Sequence, residues 1–363
     1  MATALADSFD ARPTRADQHG PLEVAGLTHR LGDATVLRDV GFRVEPGEVH
    51  ALVGPSGCGK STTLRLIAGL EPVQAGTIAI CGRTVADDRR HVPPERRQVG
   101  LMFQDYALFP HLTVRANVAF GLGRLARRER DALVDDWLGR VGLPAHGERY
   151  PHQLSGGEQQ RVALARAMAP APCLMLLDEA FSNLDTHLRE DLRGLVLALL
   201  RETATPTVLV THDADEAIRV ADRMHVMHAG ALVQSGTPAE IYARPRDLFV
   251  CSFFGQASRF KGWAVGGRVS TPLGTVERPD LADGSAVDVV VRPDAARLVA
   301  GDGGDVRATV RAFRDLGPAC VAELELADGW RIPAHLPPGS RPLPGEEVAL
   351  AVDRDHIFVF ASA

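Results

Sequence analysis

The chain has 363 residues, comfortable for two domains, and a formal charge of -6. That acidic balance excludes a general nucleic-acid binder, whose phosphate partner selects a basic surface. No run reaches the ~18 apolar residues that a membrane-crossing helix needs, and the first twenty residues lack the apolar core of a signal peptide, so a cytoplasmic chain is expected.

Residues 1–20 mix Asp, Arg, Pro and Ala without period and read as a disordered lead-in. From Leu22 to Val44 two alternating apolar runs predict strands of an antiparallel layer, ended by the turn Pro46-Gly47. His50-Ala51-Leu52-Val53 is a short buried strand running into Gly54, and Ser61 to Leu70 has the apolar spacing of a helix closed by Gly69. From Thr113 to about Met168 the pattern is helical, which predicts a helical subdomain over about 105–168. Arg127 to Val141 in particular sets its charges on one side and Leu133, Val134, Trp137, Leu138 and Val141 on the other.

Cys173 to Leu177 and Thr207 to Thr211 are continuous apolar runs, as parallel strands covered on both faces require. The order strand, helix, strand predicts an α/β core over residues 21–250 with right-handed crossovers. Beyond Pro245, glycine and proline punctuate short strand-like runs such as Val287–Val291 and Ile357–Phe360, which predicts a small all-β domain over 258–363. Cys58, Cys81, Cys173, Cys251 and Cys320 are scattered without CxxC spacing and read as buried hydrophobes in a reducing compartment.

Gly54-Pro55-Ser56-Gly57-Cys58-Gly59-Lys60-Ser61 fits the phosphate-loop pattern and stands where that pattern must stand, between a strand and a helix. Glycines let successive N–H groups of Ser56, Gly57, Cys58 and Gly59 converge on one centre, and the helix adds its positive end. Lys60 is placed to meet the β- and γ-phosphates of ATP, Ser61 to offer a hard oxygen to Mg²⁺, and Thr62 to reach the α-phosphate. Only Lys60 and Lys261 are lysines among the 40 basic residues, so a lysine in this loop is not background.

Leu176-Leu177-Asp178-Glu179 ends a buried strand in two carboxylates at the carboxyl edge of the sheet. Asp178 suits the Mg²⁺ shell and Glu179 the general base for attacking water. A third element, Leu154-Ser155-Gly156-Gly157-Glu158-Gln159-Gln160-Arg161, opens a helix with a serine cap and makes a second anion-binding helix start. One bound nucleotide does not need two such sites, unless the second faces a nucleotide held by another copy.

These eight residues match the signature motif of the ABC-transporter ATP-binding subunits, and the chain closely resembles that family over roughly residues 22–250. The resemblance implies a P-loop NTPase cassette with an antiparallel β layer and a helical insertion. It also implies a head-to-tail homodimer in which Ser155, Gly156 and Gly157 face the γ-phosphate held by the partner. By the same resemblance Gln104 meets the metal and the water, Asp185 in Ser182-Asn183-Leu184-Asp185 lies at the dimer contact, and His212 is the switch histidine. Leu31 stands where the family commonly has an aromatic on adenine, so Leu31 and Val36 are expected to hold the base through apolar contact. Ala180 replaces a common proline, with hydrolysis expected to survive.

The segment Asp105–Leu112 resembles the groove that receives a coupling helix from a membrane subunit. The implied partners are two transmembrane permease subunits at Tyr106–His111 and, indirectly, a periplasmic or extracellular substrate-binding protein. The implied location is peripheral, on the cytoplasmic face of the inner membrane. Residues 258–363 are similar to the OB-like, TOBE-type β domains of binding-protein-dependent importers, with Asp294 replacing Glu in an Arg-Pro-Glu segment. Within the importer group, Ala107-Leu108-Phe109-Pro110-His111-Leu112-Thr113-Val114 and Arg149-Tyr150-Pro151-His152-Gln153-Leu154 look most like the ferric-iron subunits, with polyamine and sulfate subunits next, so ferric iron is the implied cargo. A soluble ABC ATPase acting on nucleic acid or ribosomes is the rival class; it would carry two cassettes or a long coiled coil, and the sequence has neither.

Overall fold

The computed structural model describes residues 21–181, 186–255, 257–299, 303–315, 320–336 and 340–362. The lead-in over 1–20 and Asp185 lie outside the described residues. Contacts divide the chain after Pro238 into two units.

In the first unit, β1 (Leu22–Leu31) and β2 (Ala34–Val44) form a hairpin; β3 (Val49–Val53) then leads to α1 (Lys60–Ala68). Next come β4 (Ala75–Ile80), β5 (Arg83–Ala86) and β6 (Val99–Met102), then the insertion helices α2 (Val114–Ala119), α3 (Arg127–Arg140) and α4 (Gly156–Met168). The unit ends with β7 (Leu174–Asp178), α5 (Thr186–Thr203), β8 (Thr207–Thr211), α6 (Ala214–Val220), β9 (Arg223–His228) and β10 (Ala231–Gly236). The antiparallel sheet has the order β2-β1-β4-β5, and the second sheet β10-β9-β3-β8-β7-β6, parallel except at its β10 edge.

Every residue of β3 and β8 is buried, as the unbroken apolar runs anticipated, and β7 emerges only at Asp178. Leu22, Leu27 and Leu37 of the antiparallel sheet join Leu64 and Ile67 of α1 and Leu52, Leu176 and Val208 of the parallel sheet in one core, so α1 lies between the layers. Gly69 ends α1 in the left-handed region, at φ 83. A buried side chain also reaches the last turn of α1: Arg97 donates through Nη1 to Leu66 O at 2.7 Å and Ile67 O at 2.9 Å, while its Nε donates to Val92 O at 2.7 Å. Burial alone pulls the Arg97 guanidinium down to about 10.

In the insertion, Val134, Trp137, Leu138 and Val141 are buried and Leu133 is half-buried, which is the face the periodicity marked. The second unit carries α7 (Pro238–Ala243), α8 (Leu248–Phe253) and β11 (Ser258–Val265), β12 (Arg268–Thr271), β13 (Gly274–Glu277), β14 (Ala286–Val291), β15 (Ala296–Val299), β16 (Val306–Asp315), β17 (Cys320–Leu326), β18 (Arg331–Leu336), β19 (Glu347–Val352) and β20 (Ile357–Ala361). Its strands form two five-stranded antiparallel sheets, β13-β12-β11-β14-β20 and β15-β19-β16-β17-β18. They enclose a core of their own that includes Val289, Val310 and Leu324. Arg292 is fully buried there, its guanidinium 3.6 Å from the Tyr242 ring centroid and 4.9 Å from that of Phe358.

Candidate nucleotide site

The strands β3, β8, β7 and β6 are parallel neighbours, so their carboxyl ends open on one edge of the sheet. From that edge emerge the phosphate loop after Val53, Gln104 after Met102, Asp178 with Glu179, and His212 after Thr211. Four segments far apart in sequence therefore reach one place because the sheet order brings them there.

The loop conformation depends on its glycines. Gly54, Gly57 and Gly59 have φ of 154, 80 and 108, and Gly59 precedes α1 as its cap. A Cβ on Gly59 would stand 2.6 Å from Leu37 Cδ2 and 2.8 Å from Val36 O, so the antiparallel layer sits directly against the loop. Lys60 is buried, and its Nζ donates to the carbonyls of Gly54 at 2.8 Å and Pro55 at 3.0 Å, which hold the ammonium over the loop. Ser56 and Gly57 are exposed, and Ser61 and Thr62 are half-buried at the first turn of α1. Burial pushes the Cys58 thiol up, which keeps it a neutral packing group.

Asp178 is half-buried, and burial, then the neighbouring charge of Glu179, raises it above the usual carboxylate range; Arg65 and Lys60 oppose this. Glu179 takes a left-handed φ of 47, with its N–H donating to Val210 O at 2.9 Å. This turn aims its carboxylate at His212, whose Nδ1 lies 3.2 Å from Oε1. The His212 ring is half exposed.

Ser155 caps α4: its N–H and hydroxyl donate to Glu158 Oε2 at 2.8 and 2.7 Å, and its Oγ accepts from Glu158 N at 3.4 Å. The bond from Ser155 holds the Glu158 carboxyl below its ordinary range. Ser155 and Gly156 are exposed and Gly157 half-buried, so this helix start faces outward. Leu31 ends β1 at 51% exposure, and Val36 is half-buried beside Gly59.

One contributor was not singled out from the sequence. Gln160, fully buried in α4, donates its side-chain amide to the Ala180 carbonyl, which braces the residue after Glu179 from the signature helix. A polar residue inside an otherwise apolar helix face, Val162 and Ala163 following it, was the available signal. Tyr106 and Phe109 are half-buried against α4, and the exposed ring is Phe120, at 62%, packed 4.3 Å from Phe109 between centroids.

The site has relatives of known class. A family model described as ABC transporter matches residues 37–182, and one described as TOBE domain matches residues 289–360. The ferric-iron import ATP-binding protein FbpC 2 of Rhodococcus jostii is 48% identical over 309 residues, 85% of this chain and 88% of that protein. FbpC of Streptomyces coelicolor is 41% identical over 94% of this chain and 97% of its own length, and the sulfate/thiosulfate import ATP-binding protein CysA of Mycobacterium tuberculosis 46% identical over 84% and 82%. Among solved structures, an ATP-binding cassette in a dimeric post-hydrolysis state with ADP and Pi matches at TM-score 0.53 and 29% identity, covering 60% of this chain and 98% of that one. The cbiO1 protein of Clostridium perfringens, part of an ABC transporter complex, matches at TM-score 0.57 and 29% identity, covering 61% and 90%. The chain belongs to the ABC transporter family, as an ATP-binding protein of its import systems.

Proposed function

We propose that two copies of this chain close head to tail around two ATP molecules, hydrolyse them, and so drive two permease subunits that import ferric iron. The observation that carries this reading is the division of labour in the site. Lys60, Asp178, Glu179 and His212 gather at one sheet edge, while the capped start of α4, with Ser155, Gly156 and Gly157, faces outward as a second phosphate-binding terminus. A second copy brings that terminus to the γ-phosphate, with Asp185 at the contact between copies.

Within one site the phosphate-loop N–H groups and Lys60 hold the triphosphate, and Leu31 and Val36 contact the base. Mg²⁺ fits the residues present. Ser61, Gln104 and Asp178 offer hard oxygens, the donor type that Mg²⁺ takes. Asp178, its charge disfavoured by burial and by Glu179, is stabilised by a dication. Held by Ser61, Gln104 and Asp178, Mg²⁺ would supply charge neutralisation to the triphosphate. Glu179 accepts the proton of the attacking water, which His212 and Gln104 orient, and the products are ADP and phosphate.

Closure moves the insertions of the two copies toward each other, and the segment Tyr106–His111 passes that movement to the permease. The protein would work on the cytoplasmic face of the membrane; no described helix is long and apolar enough to cross one. Ferric iron is favoured by the FbpC relatives, and sulfate is the second reading, favoured by CysA. Replacing Glu179 by Gln is expected to leave ATP binding intact, lower hydrolysis by at least about 100-fold, and trap an ATP-bound dimer. Unchanged steady-state hydrolysis would refute the base assignment, and uptake of radiolabelled sulfate but not ferric iron by the reconstituted importer would replace the cargo.

A further inference from the structure

Tyr106 and Ala107 follow Gln104 and are consecutive non-glycine residues in the left-handed region, at φ 61 and 43. Side chains rarely adopt that conformation even singly, so a pair must be held by its surroundings. The holder is Arg166, in the last turn of α4. Its Nη1 donates to Ala107 O at 2.7 Å and its Nη2 to Tyr106 O at 3.0 Å, while the guanidinium lies 5.3 Å from the Phe109 ring centroid. At the other end of the segment, the buried Asn117 of α2 accepts from Phe109 N at 2.9 Å and donates to Phe109 O and Leu112 O at 3.1 Å each. The Tyr106 hydroxyl reaches back to the start of α4, 3.9 Å from where a Gly156 Cβ would stand.

We propose that Arg166 is a positioning residue for ATP hydrolysis: its two-pronged grip on Tyr106 and Ala107 fixes the loop that begins at Gln104 to the helix that begins at Ser155. The loop and the helix then move as one body, so the residue that orients water in one site and the terminus that grips the partner's phosphate are set together. A lysine cannot reproduce the grip, since a single ammonium lacks the planar fork that meets two carbonyls.

This inference rests on the hydrolysis reading above, and the test separates the two. The full chain is assayed for MgATP hydrolysis with melting temperature and nucleotide binding measured in parallel. An inactive wild-type protein overturns both readings. With an active one, Arg166→Met is expected to lower kcat about tenfold with KM for ATP within about twofold, because the phosphate loop is untouched. Adding Ala107→Gly, which makes the left-handed conformation free of steric cost, is expected to recover at least about threefold in that background. Ala107 is exposed, so Ala107→Val tests the same conformation with little risk to folding, and its kcat is expected to fall about fivefold with the melting temperature preserved. Wild-type kcat in Ala107→Val or Arg166→Met, or a loss in Arg166→Met that Ala107→Gly does not relieve, overturns the proposal.

Discussion

At Gly59 the tolerance of the phosphate loop is set by contact with a different layer of the fold. A methyl group there would meet Leu37 Cδ2 at 2.6 Å and the Val36 carbonyl at 2.8 Å, on a backbone at φ 108. Gly57 is also left-handed, at φ 80, but a Cβ there has no neighbour within 4 Å. Gly57→Ala should therefore cost only the conformational term, about 1–2 kcal/mol, whereas Gly59→Ala adds a clash and should cost about 2–5 kcal/mol. Thermal unfolding with nucleotide titration checks the order: Gly59→Ala should lower both melting temperature and ATP affinity, and equal behaviour of the two variants would contradict the packing argument. Leu37 reads in the sequence only as a strand residue and Val36 as a strand residue expected to touch the base, and nothing local says that they meet Gly59, about twenty residues later.

At the scale of elements, α1 is nine residues long, too short to persist by its own hydrogen bonds. It depends on the two sheets around it and on Arg97 across its last carbonyls. Arg97→Met keeps the stem and removes three bonds to backbone oxygens, so a loss of about 2–4 kcal/mol is expected in urea unfolding at constant m-value. A second dependence links strands. His50 of β3 and His225 of β9 share a hydrogen bond of 3.0 Å between Nδ1 and Nε2, continued to Glu48 at 2.9 Å and Ser235 at 2.8 Å, with Arg223 and Asp222 as the other charged groups alongside.

Burial takes His225 from its ordinary 6.5 down to about 3, with the neighbouring His50 and Arg223 acting in the same direction. Between those values the unfolded chain binds a proton that the folded chain does not. Stability therefore falls as pH drops from about 6.5 toward 3, by about 1.4 kcal/mol per pH unit for each such proton. His225→Phe, which keeps the packing on Phe42, should flatten that slope between pH 6.5 and 5 even if it lowers stability at neutral pH. An undiminished slope would show that the acid sensitivity arises elsewhere.

For the molecule as a whole, two cores without a shared residue divide the chain into a nucleotide-binding unit and a β unit. The first unit holds the capped, outward-facing start of α4, and on the proposed reading a second copy brings its nucleotide to that terminus. Ser155→Arg places a long cation on that terminus. The variant should still bind ATP as a monomer, with Kd within about threefold, but should not dimerise on adding ATP, and its hydrolysis should fall at least about tenfold. Sedimentation with and without ATP checks this, and normal ATP-driven dimerisation would exclude the shared site.

The features legible from the amino-acid order were local: the phosphate loop between strand and helix, the Asp178–Glu179 strand end, the Ser155 cap, and the unbroken runs of β3, β7 and β8. Each is a short pattern whose physical cause lies within a few residues. β9 was not legible, because Arg223, His225 and His228 interrupt its apolar run, and His225 is buried only through partners on other strands. Nor were Gln160, Arg97 and Arg166, since a polar side chain in a helix or loop carries no mark of the distant carbonyls it will meet. Those contacts arise on folding, because the sheet order and the packing of α4 bring together segments that sequence distance keeps apart.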